Sequence, residues 1–399
     1  MPEQSLSGIK VLDIGHYIAG PYCTKLLADF GAEVIKVERP DGGDPARRLG
    51  PFPDDKPDQE ASGLFLYLNN NKKSITLNLK TDSGIKIFKE LVKSADILVE
   101  NFSPRVMLSL SLNYETLKVI NPGLVMTSIS NFGQSGLYRN FKATDIVVQA
   151  VGGWMYTRGE STREPVRAAS GLGISGYIGG MYGATGTMTA LAYKHQSGIG
   201  QHVDVSLMDS VYAMLPYPVS MQNFPHNPGA TERGIYTPNV EECKDGYVGM
   251  YTVTGVQWRD LCLMMGMNDW AEDSTLRLGK QRRERREEVI GRMRPWLMNR
   301  TGEEILTEGQ AWRVPIAMVY NTEDMLQSSQ HRERDYFVEV EHPVLGKVTQ
   351  PGAPFRMTET PWEIRRPAPL LGEHNEEVYC NLLSYSKEDV VRLRQCGVI

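Results

Sequence analysis

The sequence of 399 residues has only five cysteines, which are scattered, odd in number and never in a CxxC spacing. This pattern argues against a disulfide framework and against a zinc site, and it is typical of a reducing cytoplasm. The histidines show no i, i+4 pairing and no ligand spacing to a cysteine. We therefore expect no metal and a cytoplasmic protein.

An excess of positive charge is also missing. Lys and Arg number 43 against 48 Asp and Glu, a formal net charge of −5, and the chain has no basic run of useful length. Because polyanions are bound through clustered cations, nucleic acid is not an expected partner. The opening MPEQSLSGIKVLDIG also lacks the basic and apolar regions of a secretory signal.

One long run without charge extends from Ala168 to Tyr193. Its many glycines, serines and threonines keep its hydrophobicity below the level that membrane insertion requires. The run predicts a buried helix whose small residues let another backbone come close. No membrane partner is expected.

Strand and helix patterns alternate along the first half of the chain. Strands are predicted at 9–14, 33–38, 74–79, 96–100, 124–129 and 201–205, and helices open at Gly20-Pro21, Asp82 and Ser103-Pro104. This alternation predicts an α/β fold with a Rossmann-like parallel sheet. Since no GxGxxG follows the predicted strands within residues 1–130, neither NAD nor FAD is indicated.

Changes in composition predict the domain organisation. Residues 1–215 form the first part of a large Rossmann-like domain, and the segment 216–235, rich in Pro, Asn and Gly, is a linker. A small α+β domain covers 236–335. Residues 336–399 return to the large domain and end in a predicted helix near 387–395.

Polar side chains follow the strands at the carboxyl edge of the predicted sheet, where parallel sheets bind ligands. They are His16, Arg39, Lys80 and the run Asn101-Phe102-Ser103. Cations, amides and an aromatic ring suit a phosphorylated nucleotide with an aromatic base. Alternatively, Arg39 and Lys80 are solvated loop residues and Phe102 belongs to the core.

A series of ordered motifs covers nearly the whole chain: GIKVLDIGHYIAGPYCTKLLADFGAEVIKVERPDGGDPAR, KKSITLNLK, ADILVENFSP, NFGQSG, SGIGQHVDVSLMD, CKDGYV, EHPVLG and LGEHNEEV. Together they closely resemble the class III CoA-transferase family. The resemblance implies two interlocked subunits, each with a large domain built from both chain ends. It also implies coenzyme A thioesters as substrates. Motif matching places the CoA contacts at Ala19, Arg39, Leu77 to Lys80, Asn101, Phe102, Ser103, Lys142 and Asp145, with His16 beside them.

The chain departs from the family pattern at the position of the catalytic residue. The family uses an Asp that attacks the acyl-CoA thioester, forming a mixed anhydride and then an aspartyl-CoA thioester. The matching position here is Gly176, and no Asp or Glu occurs between Glu164 and Asp204. Glycine has no side chain, so this site cannot form an anhydride.

Two further departures are visible. Ser109 stands where the family often has Arg, although Arg105 could partly replace it. Thr144 stands where the racemase branch has His, which argues against racemase activity.

These features predict a non-catalytic subunit that pairs with a homologous subunit carrying the Asp. The expected donor is succinyl-CoA and the expected acceptor an aromatic dicarboxylate such as benzylsuccinate. Two alternatives stay open: a self-sufficient homodimer that uses another group such as Asp145, and an acyl-CoA-binding protein without turnover. If the surrounding pocket is intact, Gly176→Asp should restore some covalent chemistry. Apolar pocket walls are expected from Met155, Tyr156, Tyr177 and Met181, which could equally be core.

Overall fold

The computed structural model describes residues 4–155, 173–215 and 236–399. The described chain divides into two compact units. The larger contains 4–155, 173–215 and 335–399, and the smaller contains 236–334. The predicted linker at 216–235 lies outside the described residues. Within them, no helix has both the length and the apolar character needed to cross a membrane.

The larger unit is built on a six-stranded parallel sheet in the order β3-β2-β1-β4-β5-β6. The strands are β1 (Lys10–Asp13), β2 (Glu33–Glu38), β3 (Lys72–Thr76), β4 (Ile97–Glu100), β5 (Val125–Ser130) and β6 (His202–Ser206). Apolar runs such as Ile97-Leu98-Val99 are fully buried, as expected for a sheet covered on both faces. The predicted α/β Rossmann-like class is confirmed.

Helices cover the sheet between its strands. They are α1 (Ala19–Ala28), α2 (Gly63–Asn69), α3 (Asp82–Val92), α4 (Pro104–Ser109), α5 (Tyr114–Ile120), α6 (Asp145–Val151), α7 (Ile174–Ser197) and α8 (Leu207–Ala213). Side-chain oxygens of Ser62, Thr81 and Ser206 cap α2, α3 and α8. Such caps satisfy amide donors that have no partner inside the helix.

The uncharged run forms a helix, but with other limits than the sequence predicts. Helix α7 begins at Ile174 and continues four residues beyond Tyr193, to Ser197; residues 168–172 lie outside the described part. Lys194 falls in its last turn, where a cation interacts favourably with the helix dipole. Gly198, with φ of 73°, ends the helix in the left-handed conformation that favours glycine. The charge at 194 was therefore a poor marker of the helix end.

Strand β3 begins at Lys72, two residues earlier than predicted. The sequence pattern missed this start because Lys72 is charged and yet buried. Lys72 is fully buried, and its ammonium lies 3.0 Å from an Asp13 carboxylate oxygen. A charge is tolerated in a sheet interior only with such a partner. Sequence patterns do not show the partner, so the strand was predicted to start at Ser74.

The end of the chain packs on the β3 edge of the sheet. Asn375 accepts a hydrogen bond from the Thr76 amide, and Tyr379 Oη donates to the Thr76 carbonyl at 2.6 Å. Before Asn375, the chain forms a hairpin of β10 (Phe337–His342) and β11 (Gly346–Pro351). A π-helical turn at Glu377–Leu382 and a helix at Lys387–Gln395 follow. The larger unit thus joins both ends of the described chain.

The smaller unit has a three-stranded antiparallel sheet of β7 (Val240–Cys243), β8 (Gly246–Met250) and β9 (Ile316–Met318). Helices surround it at Gly255–Met264, Asn268–Glu272, Gly279–Glu284, Arg286–Met298, Gly302–Ala311, Thr322–Gln327 and Ser329–Glu333. The buried Arg282 donates to the carbonyls of Thr237, Leu276 and Thr252, which places its charge among oxygens rather than apolar atoms. All five cysteines are free thiols.

Lys36 in β2 provides a test of the buried charges. Its side chain is fully buried, and its ammonium lies 2.8 Å from Asp44. We expect Lys36→Met to lower the free energy of unfolding by about 3–5 kcal/mol, because Asp44 loses its buried ion-pair partner. Lys347→Met, which removes an exposed pair with Glu339, should cost at most about 1 kcal/mol. Urea unfolding measures both, and equal effects would contradict the expectation.

Candidate functional site

The candidate site lies at the carboxyl edge of the sheet, where the strand order reverses between β1 and β4. At such switch points the loops diverge and leave a crevice for a ligand. Two loops are joined there by a reciprocal pair of bonds: the His16 amide donates to Asn101 Oδ1 at 2.7 Å, and Asn101 Nδ2 donates to the His16 carbonyl at 2.9 Å. The pair holds the first and fourth strand ends together.

Buried charges fix the backbone of the loop after β1. Lys36 Nζ donates to the Gly15 carbonyl, and Asp13 accepts from the Gly15 amide. Asp44 accepts a hydrogen bond from the amide of Tyr17. Tyr17 has a φ of 60°, a strained value for a residue other than glycine, and this hydrogen bond supports it. Although burial disfavours its ionised form, Asp13 has its pKa held at about 2 by Lys36 and Lys72. Buried charged groups therefore position the loop.

A cavity of about 580 Å³ opens beside these loops. Its walls come from the loop after β4, the end of β5, the segment before α6, and the starts of α1 and α8. The lining residues are Ala19, Asn101, Phe102, Ser103, Pro104, Ile129, Ser130, Asn131, Arg139, Asn140, Phe141, Lys142, Ala143, Thr144, Val147 and Leu207.

The cavity combines positive charge with hydrogen-bonding groups and aromatic surface. Arg139 and Lys142 supply two cations, both exposed at the rim. The ring of Phe102 meets His16 edge to face at 5.1 Å. Burial lowers the pKa of His16 against the pull of Asp44, so the imidazole is neutral at pH 7. The buried Ser130 hydroxyl has no hydrogen-bond partner among the described residues, which leaves it available to a ligand.

Sequence reasoning identified part of this cavity. Of the predicted site residues, five line it: Ala19, Asn101, Phe102, Ser103 and Lys142. Two more adjoin it, since His16 contacts Phe102 and Arg105 Nε donates to Asn140 Oδ1 at 3.1 Å.

Three other predicted contacts lie outside the cavity walls. Arg39 donates to the Gly43 carbonyl, Leu77 is buried in the hydrophobic core, and Lys80 follows the edge strand β3. They stay predictions.

The stretch from Arg139 to Phe141 was missed. The sequence did carry a signal: together with Lys142, this stretch places two cations and an aromatic ring after a predicted strand.

Asp145 has a structural role that argues against its use as a nucleophile. Its carboxylate accepts hydrogen bonds from the Ser175 amide at 2.9 Å, from the Ser175 hydroxyl, and from Gln149 Nε2 at 2.6 Å. It thereby caps the first turn of α7 from the neighbouring helix α6. A carboxylate whose oxygens are occupied by donors is a weak nucleophile.

Gly176 lies buried in the first turn of α7, and the apolar residues expected around it are dispersed. Tyr177 packs edge to face on Tyr22 at 5.0 Å, while Met181 is 43% exposed. Met155 is half-buried. Tyr156 and Gly171-Leu172 of the matched motif lie outside the described residues.

Glu100 ends β4 just before the cavity-lining Asn101 and Phe102, and it was not identified from the sequence. Its carboxylate accepts from the Phe102 amide at 2.7 Å and from Ser128, whose Oγ is 2.8 Å from His202 Nε2. Burial raises the pKa of Glu100 to about 7, although these hydrogen bonds oppose the shift. Glu100 thus holds the backbone that presents Phe102. Within the described chain, no group of three or more acidic, His or Cys side chains is placed to hold a metal ion.

Comparisons with known proteins agree with this geometry. The chain matches CoA-transferase family III over residues 6–375. Formyl-CoA:oxalate CoA-transferase of Afipia carboxidovorans is 32% identical, with 99% of this chain and 98% of the relative covered. Succinate–glutarate CoA-transferase of Agrobacterium fabrum is 32% identical, covering 96% and 97%. Succinyl-CoA–D-citramalate CoA-transferase of Chloroflexus aurantiacus is 31% identical, covering 100% and 99%.

The solved structures give the same result. A CAIB/BAIF family protein from Brucella suis superposes with a TM-score of 0.83 at 26% identity, covering 95% of this chain and 100% of that one.

The raised pKa of Glu100 generates a prediction about stability. Between its ordinary value near 4.5 and about 7, the folded protein binds a proton that the unfolded chain has released, so stability falls as pH rises through this window. Glu100→Gln removes the proton exchange. We expect the free energy of unfolding of the wild type, relative to Glu100→Gln, to fall by on the order of 3 kcal/mol from pH 4.5 to pH 8. Parallel curves in urea unfolding across this range would contradict the assignment.

Proposed function

The chain belongs to CoA-transferase family III, and on that basis we propose that it is the non-catalytic subunit of a heteromeric class III CoA-transferase. A homologous partner would supply the catalytic Asp, and the two chains would interlock as a heterodimer or a multiple of it. The complex would move CoA between carboxylic acids. The observation that carries this proposal is the absence of a carboxylate from the described wall of the cavity and from position 176.

The cavity supports binding of a CoA thioester. Its exposed Arg139 and Lys142 suit the phosphates, since cations and amides recognise phosphate oxygens. Asn101 and the unpartnered Ser130 hydroxyl offer polar contacts to an amide-rich chain. Phe102 and Phe141 offer aromatic surface for the adenine ring. We include Arg39, Lys80 and Asp145 in the proposed CoA site on their motif positions alone.

The nature of the substrates rests on similarity. Two relatives carry succinate or succinyl-CoA in their names, which supports succinyl-CoA as the donor. The opening HYIAGPYCTKLLA is similar to the E subunit of succinyl-CoA:(R)-benzylsuccinate CoA-transferase. We therefore propose an aromatic dicarboxylate such as benzylsuccinate as the acceptor. We also propose the cytoplasm as the location.

A reconstitution assay tests the division of labour. The chain is purified alone, and together with a homologous chain encoded beside it, and CoA transfer from succinyl-CoA to benzylsuccinate is followed by chromatography. We expect transfer only in the mixture, because covalent catalysis needs the partner's Asp. Transfer by this chain alone would establish a self-sufficient enzyme instead. CoA binding with no transfer in either sample would establish a binding protein.

Lys142→Ala tests whether the cavity binds CoA. Removing a cation from a phosphate contact should weaken CoA binding about tenfold, equivalent to about 1.4 kcal/mol, and the loss should shrink as salt increases. Isothermal titration calorimetry with CoA at two ionic strengths measures the effect. Lys347→Ala, which removes an exposed cation outside the cavity wall, is the matched control. Equal affinities for the two variants would place the CoA phosphates elsewhere.

A further inference from the structure

The residue that faces Gly176 across the helix packing is Ile18. Ile18 immediately precedes α1, and the start of α1 lies against the first turns of α7. A Cβ atom built on Gly176 would lie 3.1 Å from both Cβ and Cγ2 of Ile18. A Cβ atom built on Gly173 would overlap Ile18 Cδ1. A side chain at 173 would therefore overlap the isoleucine, and one at 176 would require the isoleucine to shift by a few tenths of an ångström.

The position of Ile18 is not free to adjust. The amide of the preceding Tyr17 is bound to Asp44, and the following Ala19 is buried and packs close to Gly180. Ile18 is also branched at Cβ, which restricts its side-chain torsion. A side chain added at position 176 would have to displace Ile18 together with Tyr17 and Ala19. Close-packed interiors resist such movement.

We propose that Ile18 closes the reaction site of this chain by filling the space into which a carboxylate at position 176 would project. This inference rests on the proposed function, because only the family pattern makes position 176 the reacting one. The missing nucleophile and the filled space are then two separate features of this chain. Restoring one leaves the site closed, so Gly176→Asp alone does not regain covalent chemistry, contrary to the expectation from sequence.

The test compares three full-length variants incubated with succinyl-CoA. They are Gly176→Asp, Gly176→Asp with Ile18→Gly, and Gly176→Asp with Ile18→Val. The valine keeps the Cβ and Cγ2 atoms that meet position 176 and removes only Cδ1, so it is the matched control. Glycine is well accepted at the position preceding a helix.

The reaction measured is a complete exchange. The Asp carboxylate attacks the thioester carbonyl, the C–S bond breaks, and the CoA thiolate leaves behind a mixed anhydride. The thiolate then attacks the Asp carbonyl, and succinate departs with one oxygen of the original Asp carboxylate. The mass of the protein therefore increases by that of CoA less that of one water. Intact-protein mass and peptide mapping at residue 176 detect the aspartyl-CoA thioester.

We expect at least about tenfold more adduct from the variant with Ile18→Gly than from either of the others, a difference of about 1.4 kcal/mol in barrier. Equal adduct from Gly176→Asp alone would overturn the proposal.

A thermal-unfolding cycle provides a second measurement should the Asp variants fail to fold. Gly176→Ala should be more favourable in the Ile18→Gly background than in the wild type, since the added Cβ then has room. Additive effects would overturn the proposal. Adduct or turnover by the unmodified chain would contradict the proposed function while leaving this cycle as an independent test of Ile18.

Discussion

The geometry of the site depends on one buried ammonium, that of Lys36. It lies in a central strand of the sheet with no solvent contact, between Asp44 at 2.8 Å and Asp13 at 3.8 Å. Burial disfavours the charge, but the two carboxylates outweigh it and raise the pKa of Lys36. The same ammonium donates to the Gly15 carbonyl, so the charge network and the loop after β1 form one unit. Any ligand that contacts this loop meets a surface fixed from below.

The network explains why a polar motif is concentrated near the start of the chain. Asp13, Lys36 and Asp44 all lie within residues 13–44 and meet under one loop. Their combined effect is to hold Tyr17 in the left-handed region and thus to direct Ile18 toward α7. Charge burial therefore determines where an apolar side chain points. The identity of that side chain then decides whether the first turn of α7 is accessible.

The fold class could be predicted from the sequence because the periodicity of apolar residues indicates which positions are buried. The strand at Glu33–Glu38 and the final helix at Lys387–Gln395 were predicted at their observed limits. Sequence patterns misplaced the start of β3, where the buried Lys72 has a partner 59 residues away, and the end of α7, where the helix continues past a cation.

The site divides in the same way. Asn101, Phe102, Ser103 and Lys142, which motif positions mark as CoA contacts, line the cavity. Glu100 and Ile18 were not identified from the sequence, because their roles arise from burial and from contact across elements.

Two observations on α7 show how the fold is held with a glycine at position 176. Asp145 caps the first turn of the helix from α6, so this turn keeps a carboxylate that needs no residue 176. The glycine positions let α1 approach closely: a Cβ at Gly180 would lie 2.7 Å from the Ala19 carbonyl oxygen. Backbone proximity therefore holds α7 against α1, and Asp145, a carboxylate outside position 176, holds α7 against α6. Under the proposed function, a chain built in this way keeps its cavity and its packing without a side chain at position 176, and the partner supplies the Asp.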